Sequence, residues 1–291
     1  MPSLAPMLTF AKLTIWEASR RKLLMAVLVL TVVVIGATGW GFEQLRFANG
    51  PDGSPQVGEV QLRLIASQVL IAIVFLFAAV LALMTVLVAA PCLSGDVESN
   101  LVLAVLARPV RRSELVLGKW LGLATLVVLY SAGAGILELL VVDWATGYVP
   151  PSPVGLIAYV AGLGLVLLTS ALLLSTRLAG MTAAIIPLVA YFMAWVAGIL
   201  GGIGTVIDNQ ALIATGVVSR LILPTDGLWR GAVYAMEPAS VVAALKAAGP
   251  ASGGSPFSAT EGPAPAFLAW TFAWLVLMIG LTLWSFRTRE L

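Results

Sequence analysis

Residues 64–90 read LIASQVLIAIVFLFAAVLALMTVLVAA, an unbroken run without a single charge. As an α-helix rising 1.5 Å per residue it would reach roughly 40 Å, more than the ~30 Å hydrocarbon core of a bilayer requires. It lacks the alternation of a barrel strand, so a membrane-crossing helix is the structure that satisfies its backbone in lipid. The surplus length predicts tilt or projection beyond the bilayer at one end, with Pro91 marking the exit.

Working outward, five more apolar runs of spanning length lie at Leu23–Phe42, Leu115–Val142, Val154–Ser175, Met181–Ile203 and Ala266–Phe286. Of the 291 residues 60% are hydrophobic and 10% charged, and the mean hydropathy is +1.03. A soluble chain carries about 25% charged residues, so disorder and a compact water-soluble core are both excluded. The fold class read from this pattern is all-α: a polytopic membrane protein forming one transmembrane domain over 1–291. It has six transmembrane helices, an N-terminal interfacial amphipathic helix at 7–22, and a helical outer loop at 204–265 between spans five and six. In the N-terminal helix Phe10, Leu13 and Trp16 recur at spacing three, on one face, beside Lys12, Glu17 and Arg20.

Lysine and arginine accumulate on the cytoplasmic side of a membrane. With both termini cytoplasmic, 11 of the 16 basic residues fall inside: Lys12, Arg20, Arg21, Lys22, Arg108, Arg111, Arg112, Lys119, Arg177, Arg287 and Arg289. The expected location is the cell membrane. A net charge of +2 gives no polyanion-binding surface, so no nucleic-acid partner is expected. The chain has one cysteine, Cys92, and no histidine, which leaves no disulfide and no obvious catalytic base or structural zinc site. No catalytic, cofactor-binding or metal-binding residue is assigned. The lack of histidine and of clustered methionines also argues against direct copper handling.

The loop between spans two and three, 94–114, is charged at both ends and apolar in the middle. After the acidic pair Asp96 and Glu98, residues Leu101, Val102, Val105 and Leu106 fall on a helical stripe. Arg108-Pro109 ends that helix, and Ser113 is expected to cap the next as Glu114 begins span three. A short helix with an uncovered apolar face outside the membrane needs a cover, either a partner protein or the membrane interface.

The strings Ser94-Gly95-Asp96-Val97-Glu98-Ser99 and Leu106-Ala107-Arg108-Pro109-Val110-Arg111-Arg112-Ser113-Glu114, continuing to Gly118-Lys119, resemble the type 2 export class of ATP-binding-cassette permeases. The basic amino terminus, the six-span layout and the closing Trp284–Leu291 agree with that resemblance. It implies that Asp96, Glu98 and Leu101–Leu106 dock into an ATPase subunit, and that Arg108, Pro109, Arg111, Ser113 and Glu114 transmit its motion into span three. Ser99-Asn100 departs from the family's usual Gly-Thr. The resemblance further implies two ATPase copies, and a homodimer or a heterodimer with a close relative. ATP and magnesium would be held by the partner, since Gly118-Lys119-Trp120 lacks the earlier glycine and following hydroxyl of a phosphate loop.

In the outer loop, Asp208 or Asn209 could cap one helix and Thr225 or Asp226 a second carrying Trp229 and Tyr234, followed by a third piece at 239–248. These helices form an outer gate or receive an extracytoplasmic partner, or else lie on the outer leaflet and seal a dimer. Leu221-Ile222-Leu223-Pro224-Thr225-Asp226 is similar to an element in the permease of the nitrous-oxide reductase maturation system and its relatives. Glu138 is the carboxylate within a span, either functional or solvated near the surface. The functional expectation is the permease subunit of an ATP-driven exporter, not itself an enzyme. The alternative is a membrane anchor or assembly factor that recruits an ATPase or outer protein without transport; a proton-coupled carrier would need several intramembrane carboxylates. Lipids, peptides and hydrophobic toxins all remain open as cargo.

Overall fold

A computed structural model describes residues 4–47, 58–98, 111–249 and 254–289. Among them are ten helices and no strand. They are α1 (Leu4–Ser19), α2 (Lys22–Phe47), α3 (Glu59–Glu98), α4 (Arg112–Thr146), α5 (Pro153–Ser175), α6 (Gly180–Val206), α7 (Gln210–Ile222), α8 (Thr225–Met236), α9 (Ala239–Ala247) and α10 (Pro265–Arg287). Helices α2 to α6 and α10 are each long and apolar enough to cross a bilayer, so the chain is a polytopic membrane protein. The apolar runs read from the sequence fall inside these six helices, because hydrocarbon thickness sets a minimum length that composition alone reveals.

The core lies between α3 and α5, whose Leu70, Ile71, Leu81, Leu163, Leu167, Leu168 and Leu172 are fully buried. Helices α4 and α6 flank that pair, while α2 leans mainly on α4 and α10 on α5. Lys22, Arg112, Lys119, Arg177 and Arg287 gather at one end of the bundle, called the basic end below; α4 finishes and α5 begins at the far end.

Several local expectations change. Helix α3 does not stop at Pro91 but runs through it to Glu98. Proline removes one backbone donor, a loss that a long and otherwise well-packed helix absorbs. Asp96 and Glu98 therefore occupy the last turn of α3 rather than the first turn of a separate helix. Ser113 is not a cap: the N-cap of α4 is Arg111, with extended backbone, and its N–H donates to the Glu114 carboxylate at 3.1 Å. Ser113 lies buried inside the first turn. At the amino terminus α1 ends at Ser19, and Lys22 already belongs to α2.

Candidate functional site

At the basic end the ends of four spans are tied together by cations donating to carbonyl oxygens. Arg112, the first residue of α4, donates from one guanidinium nitrogen toward the carbonyls of Phe286, Arg287 and Arg289 at 3.4, 3.2 and 2.9 Å. Arg177, in the turn between α5 and α6, donates to the Ser285 carbonyl at 3.2 Å and to the Thr288 hydroxyl at 2.6 Å. Arg289 returns a bond to the Thr176 carbonyl at 2.7 Å. These are the last carbonyls of α10 and α5, which no turn of their own helix can satisfy and toward which the helix dipole draws positive charge. One level deeper, the buried Lys119 ammonium donates to the Cys92 carbonyl and links α4 to α3.

Helix α1 braces the same region. Met7 and Phe10 meet Gly118, and Ala11 and Thr14 meet Gly122, so α1 runs alongside α4 over successive turns. A Cβ at Gly122 would stand 2.6 Å from the Ala11 carbonyl oxygen. Contact this close admits only small residues, and the buried stripe of α1 is accordingly Ala11, Thr14 and Ala18. Phe10 is half-buried against α4, while Leu13 and Trp16 are largely exposed.

At the far end the segment after α6 does not lie outside the bundle. Asn209 caps α7 by accepting from the N–H groups of Ala211 and Leu212 at 3.0 and 3.2 Å. Helix α7 then turns back down along α6: Gly204 meets Ile213, Gly201 meets Gly216, and Gly198 meets Asp226. Gly198 lies eight residues inside the end of α6, and because it meets Asp226 at the start of α8, the turn between α7 and α8 sits about 12 Å deep. Trp274, nine residues into α10, reaches the same tip, a depth of roughly 14 Å. After Pro224 the chain bends by 98°, and α8 climbs along α5 until Ala235 accepts from the Ser152 N–H at 3.2 Å and Met236 from the Tyr148 hydroxyl. Both mouths of the α7–α8 pair thus open at the far end, and the pair is a re-entrant hairpin.

Bare carbonyls at such depth are tolerated only where protein satisfies them. The Leu221 and Ile222 carbonyls accept from the indole N–H groups of Trp270 and Trp274 at 3.1 and 2.9 Å, and the Leu223 carbonyl from the Thr225 N–H at 2.8 Å. Asp226, buried at the start of α8, pairs with Arg220 at 2.8 Å and Arg230 at 3.4 Å. Arg230 also donates to the Gly198 carbonyl at 2.8 Å. The N-cap of α8 is Pro224, so neither Thr225 nor Asp226 caps it; Asp226 is an ion-pair hub instead.

Residues 16–291 match the model of ABC-2 family transporter proteins. The chain belongs to the ABC-2 family. No curated protein matches it. Membership makes this ABC-2 chain a membrane transport component and implies an ABC ATPase partner.

In this ABC-2 chain Leu101, Val102, Val105, Leu106, Arg108 and Pro109 lie outside the described residues, and of Asp96 and Glu98 only the backbone is described. Arg111 and Glu114 share the N-cap of α4. Glu138 is wholly buried rather than solvated near the surface, with the Thr38 hydroxyl beside its carboxyl. Trp229 is buried in an aromatic group with Phe75 and Phe257, its indole donating to the Pro256 carbonyl at 2.8 Å. Tyr234 lines a separate cavity of about 340 Å³ with Glu237 and Lys246. Glu138, Trp229 and Tyr234 therefore do not form one site.

Glu237 carries no signal in the sequence, because it is a single carboxylate between α8 and Pro238 with no neighbouring motif. Its side chain is buried, one oxygen accepting from the Ala259 N–H at 3.2 Å and the other without a partner among the described residues. Burial pushes its carboxyl up to about 7, with the Ala259 bond pulling weakly the other way. Burial, and secondarily the charge of Glu237, pushes the Tyr148 phenol up. Arg112, Lys119 and Arg177 were also not singled out. The available signal was their position at helix ends, but only helix phase tells which arginine of the Arg111-Arg112 pair turns inward.

Proposed function

We propose that the chain is the permease subunit of an ABC exporter, working as a homodimer or beside a close relative with two ATPase subunits. The observation that carries this reading is the match of residues 16–291 to the ABC-2 family, joined to the lack of any phosphate-binding loop in the sequence. The basic end faces the cytoplasm, in keeping with the excess of lysine and arginine there. Residues 96–106 dock on the ATPase, and Arg108–Glu114 passes the movement to α4. The cation ties support a linked transmission: while Arg112 holds α10 and Lys119 holds α3, a movement of α4 carries both helices with it. Trp229 and Tyr234 belong to closure of the far end, where the 254–264 strap lies over α8. The resemblance of Leu221–Asp226 to the nitrous-oxide maturation permeases falls on the tip of this hairpin, which makes the tip the first place to seek cargo selectivity.

The test is reconstitution of the full chain in vesicles with the ABC ATPase that copurifies with it. Glu98→Gln and Arg111→Gln are expected to reduce transport-coupled ATP hydrolysis severalfold with membrane insertion intact. Unchanged hydrolysis in both variants overturns the coupling mechanism. Hydrolysis that no candidate cargo stimulates supports the anchor reading instead.

A further inference from the structure

Helix α1 has two faces with different destinations. One is sealed on α4 through Ala11, Thr14 and Ala18. The other presents Leu8, Leu13 and Trp16, exposed by 61, 54 and 58%, alongside the exposed cations Lys12 and Arg20. The Arg20 guanidinium stacks on the Trp16 ring, 3.7 Å from its centroid. Stacking occupies the flat face of the guanidinium and leaves its N–H edge directed outward, the edge that grips phosphate oxygens in pairs. Arg21 is engaged with Glu17 at 2.8 Å, and among the described residues Lys12, Arg20 and Lys22 are in no ion pair. Over residues 12–22 four cations stand against one carboxylate, a net charge of +3.

Position decides what covers this face. Lys22 is the first residue of a membrane-spanning helix, so the Arg20–Lys22 corner stands where the bilayer surface begins. Headgroup phosphates lie at that level, with acyl chains just beneath for Leu8 and Leu13. An exposed tryptophan beside snorkelling cations suits that boundary. We propose that the outer face of α1 is a binding surface for anionic phospholipid, with Arg20, Lys12 and Lys22 holding the phosphate and Trp16, Leu8 and Leu13 resting on the chains. Because the opposite face is packed on Gly118 and Gly122, lipid held there presses α1 against the first turns of α4. That mechanical consequence rests on the proposed function; the binding itself does not.

The test uses the purified full chain alone in phosphatidylcholine nanodiscs, titrated with fluorescently labelled phosphatidylglycerol and read by energy transfer from the protein's tryptophans. Each basic residue near an anionic membrane surface is worth roughly a fivefold change in association. The triple variant K12Q/R20Q/K22Q is therefore expected to lose about a hundredfold in apparent affinity, and R20Q alone about fivefold, with added salt weakening the wild type in parallel. Should the triple variant fail to fold, R20Q and R20K carry the comparison, with the lysine, which keeps the charge but not the paired N–H edge, falling between R20Q and the wild type. Unchanged affinity in the variants overturns the proposal. So does an equal loss toward labelled phosphatidylcholine, and so does intact lipid binding combined with lost capture of the ATPase, which would make the face a protein dock. None of these readouts requires transport, so failure here is distinguishable from failure of the exporter reading.

Discussion

Helix α10 is a hydrogen-bond acceptor at one end of the bundle and a donor at the other. At the basic end its last carbonyls receive guanidinium groups from Arg112 and Arg177. At the far end its indoles at Trp270 and Trp274 supply N–H groups to the last carbonyls of α7. Both arrangements satisfy the orphan carbonyls of a helix terminus. The donors differ in charge: at depth a cation is tolerated when it is paired, as Arg230 is with Asp226, and otherwise a neutral donor serves. Arg177 is exposed and Arg112 half-buried, so water shares the charge, and ties of this kind can be broken and remade. A neutral indole carries no ionic desolvation penalty and suits a tip some 12–14 Å inside the bundle. Stability therefore belongs to the far end, and mechanical linkage to the basic end.

Asp226→Ala should break that contrast most severely. It strands Arg220 and Arg230 beside the buried tip and is expected to cost about 3–5 kcal/mol, seen as loss of folded protein or a large drop in unfolding temperature in detergent. Gly201→Leu follows, because Gly201 and Gly216 face each other and a Cβ at Gly201 would stand 2.9 Å from the Gly216 Cα. Overpacking there is expected to cost about 1–3 kcal/mol, and a cysteine pair placed across α6 and α7 should lose its crosslink. Trp274→Phe keeps the ring but removes the donor to Ile222, at about 1–2 kcal/mol by thermal unfolding. If Asp226→Ala and Trp274→Phe are both silent, the far end is not the stable one.

A smaller effect at the far end depends on pH. The Glu237 carboxyl is raised in the folded protein to about 7 from an ordinary 4.5, so between those values the folded state holds more protons than the unfolded state. Stability is then fully present below pH 4.5, falls as pH rises through about 7, and levels off above. The amplitude is on the order of 1 kcal/mol once solvent screening is allowed for. Unfolding temperatures measured across this range should slope downward in the wild type and flatten in Glu237→Gln. Smallest in stability is Arg112→Gln, expected below about 1 kcal/mol because its bonds are partly solvated. Its signature is reduced coupling of hydrolysis to transport at nearly unchanged unfolding temperature.

The cation ties at the basic end were half legible. Arg112 and Arg177 could be placed at helix ends from their neighbours, but whether Arg111 or Arg112 reaches α10 depends on where α4 begins, and Arg111 proved to be the N-cap. The hairpin was less legible. Its pieces read as amphipathic helices outside the bundle, although Pro224 between two short helices and the spacing of Arg220, Asp226 and Arg230 were visible. Periodicity describes a helix's own faces and carries nothing about the direction in which the helix travels after a turn.

What the sequence settled alone is the number of membrane-crossing helices and their approximate limits, because bilayer thickness imposes a length of apolar chain that nothing else in the molecule can replace. Tertiary structure decided that α7 and α8 re-enter beside α6, that Asp226 rather than Glu138 has cationic partners, and that α1 rests on two glycines of α4. Each of these depends on which small residues meet across helices distant in the chain. That is a matter of packing between surfaces, which a one-dimensional pattern does not contain.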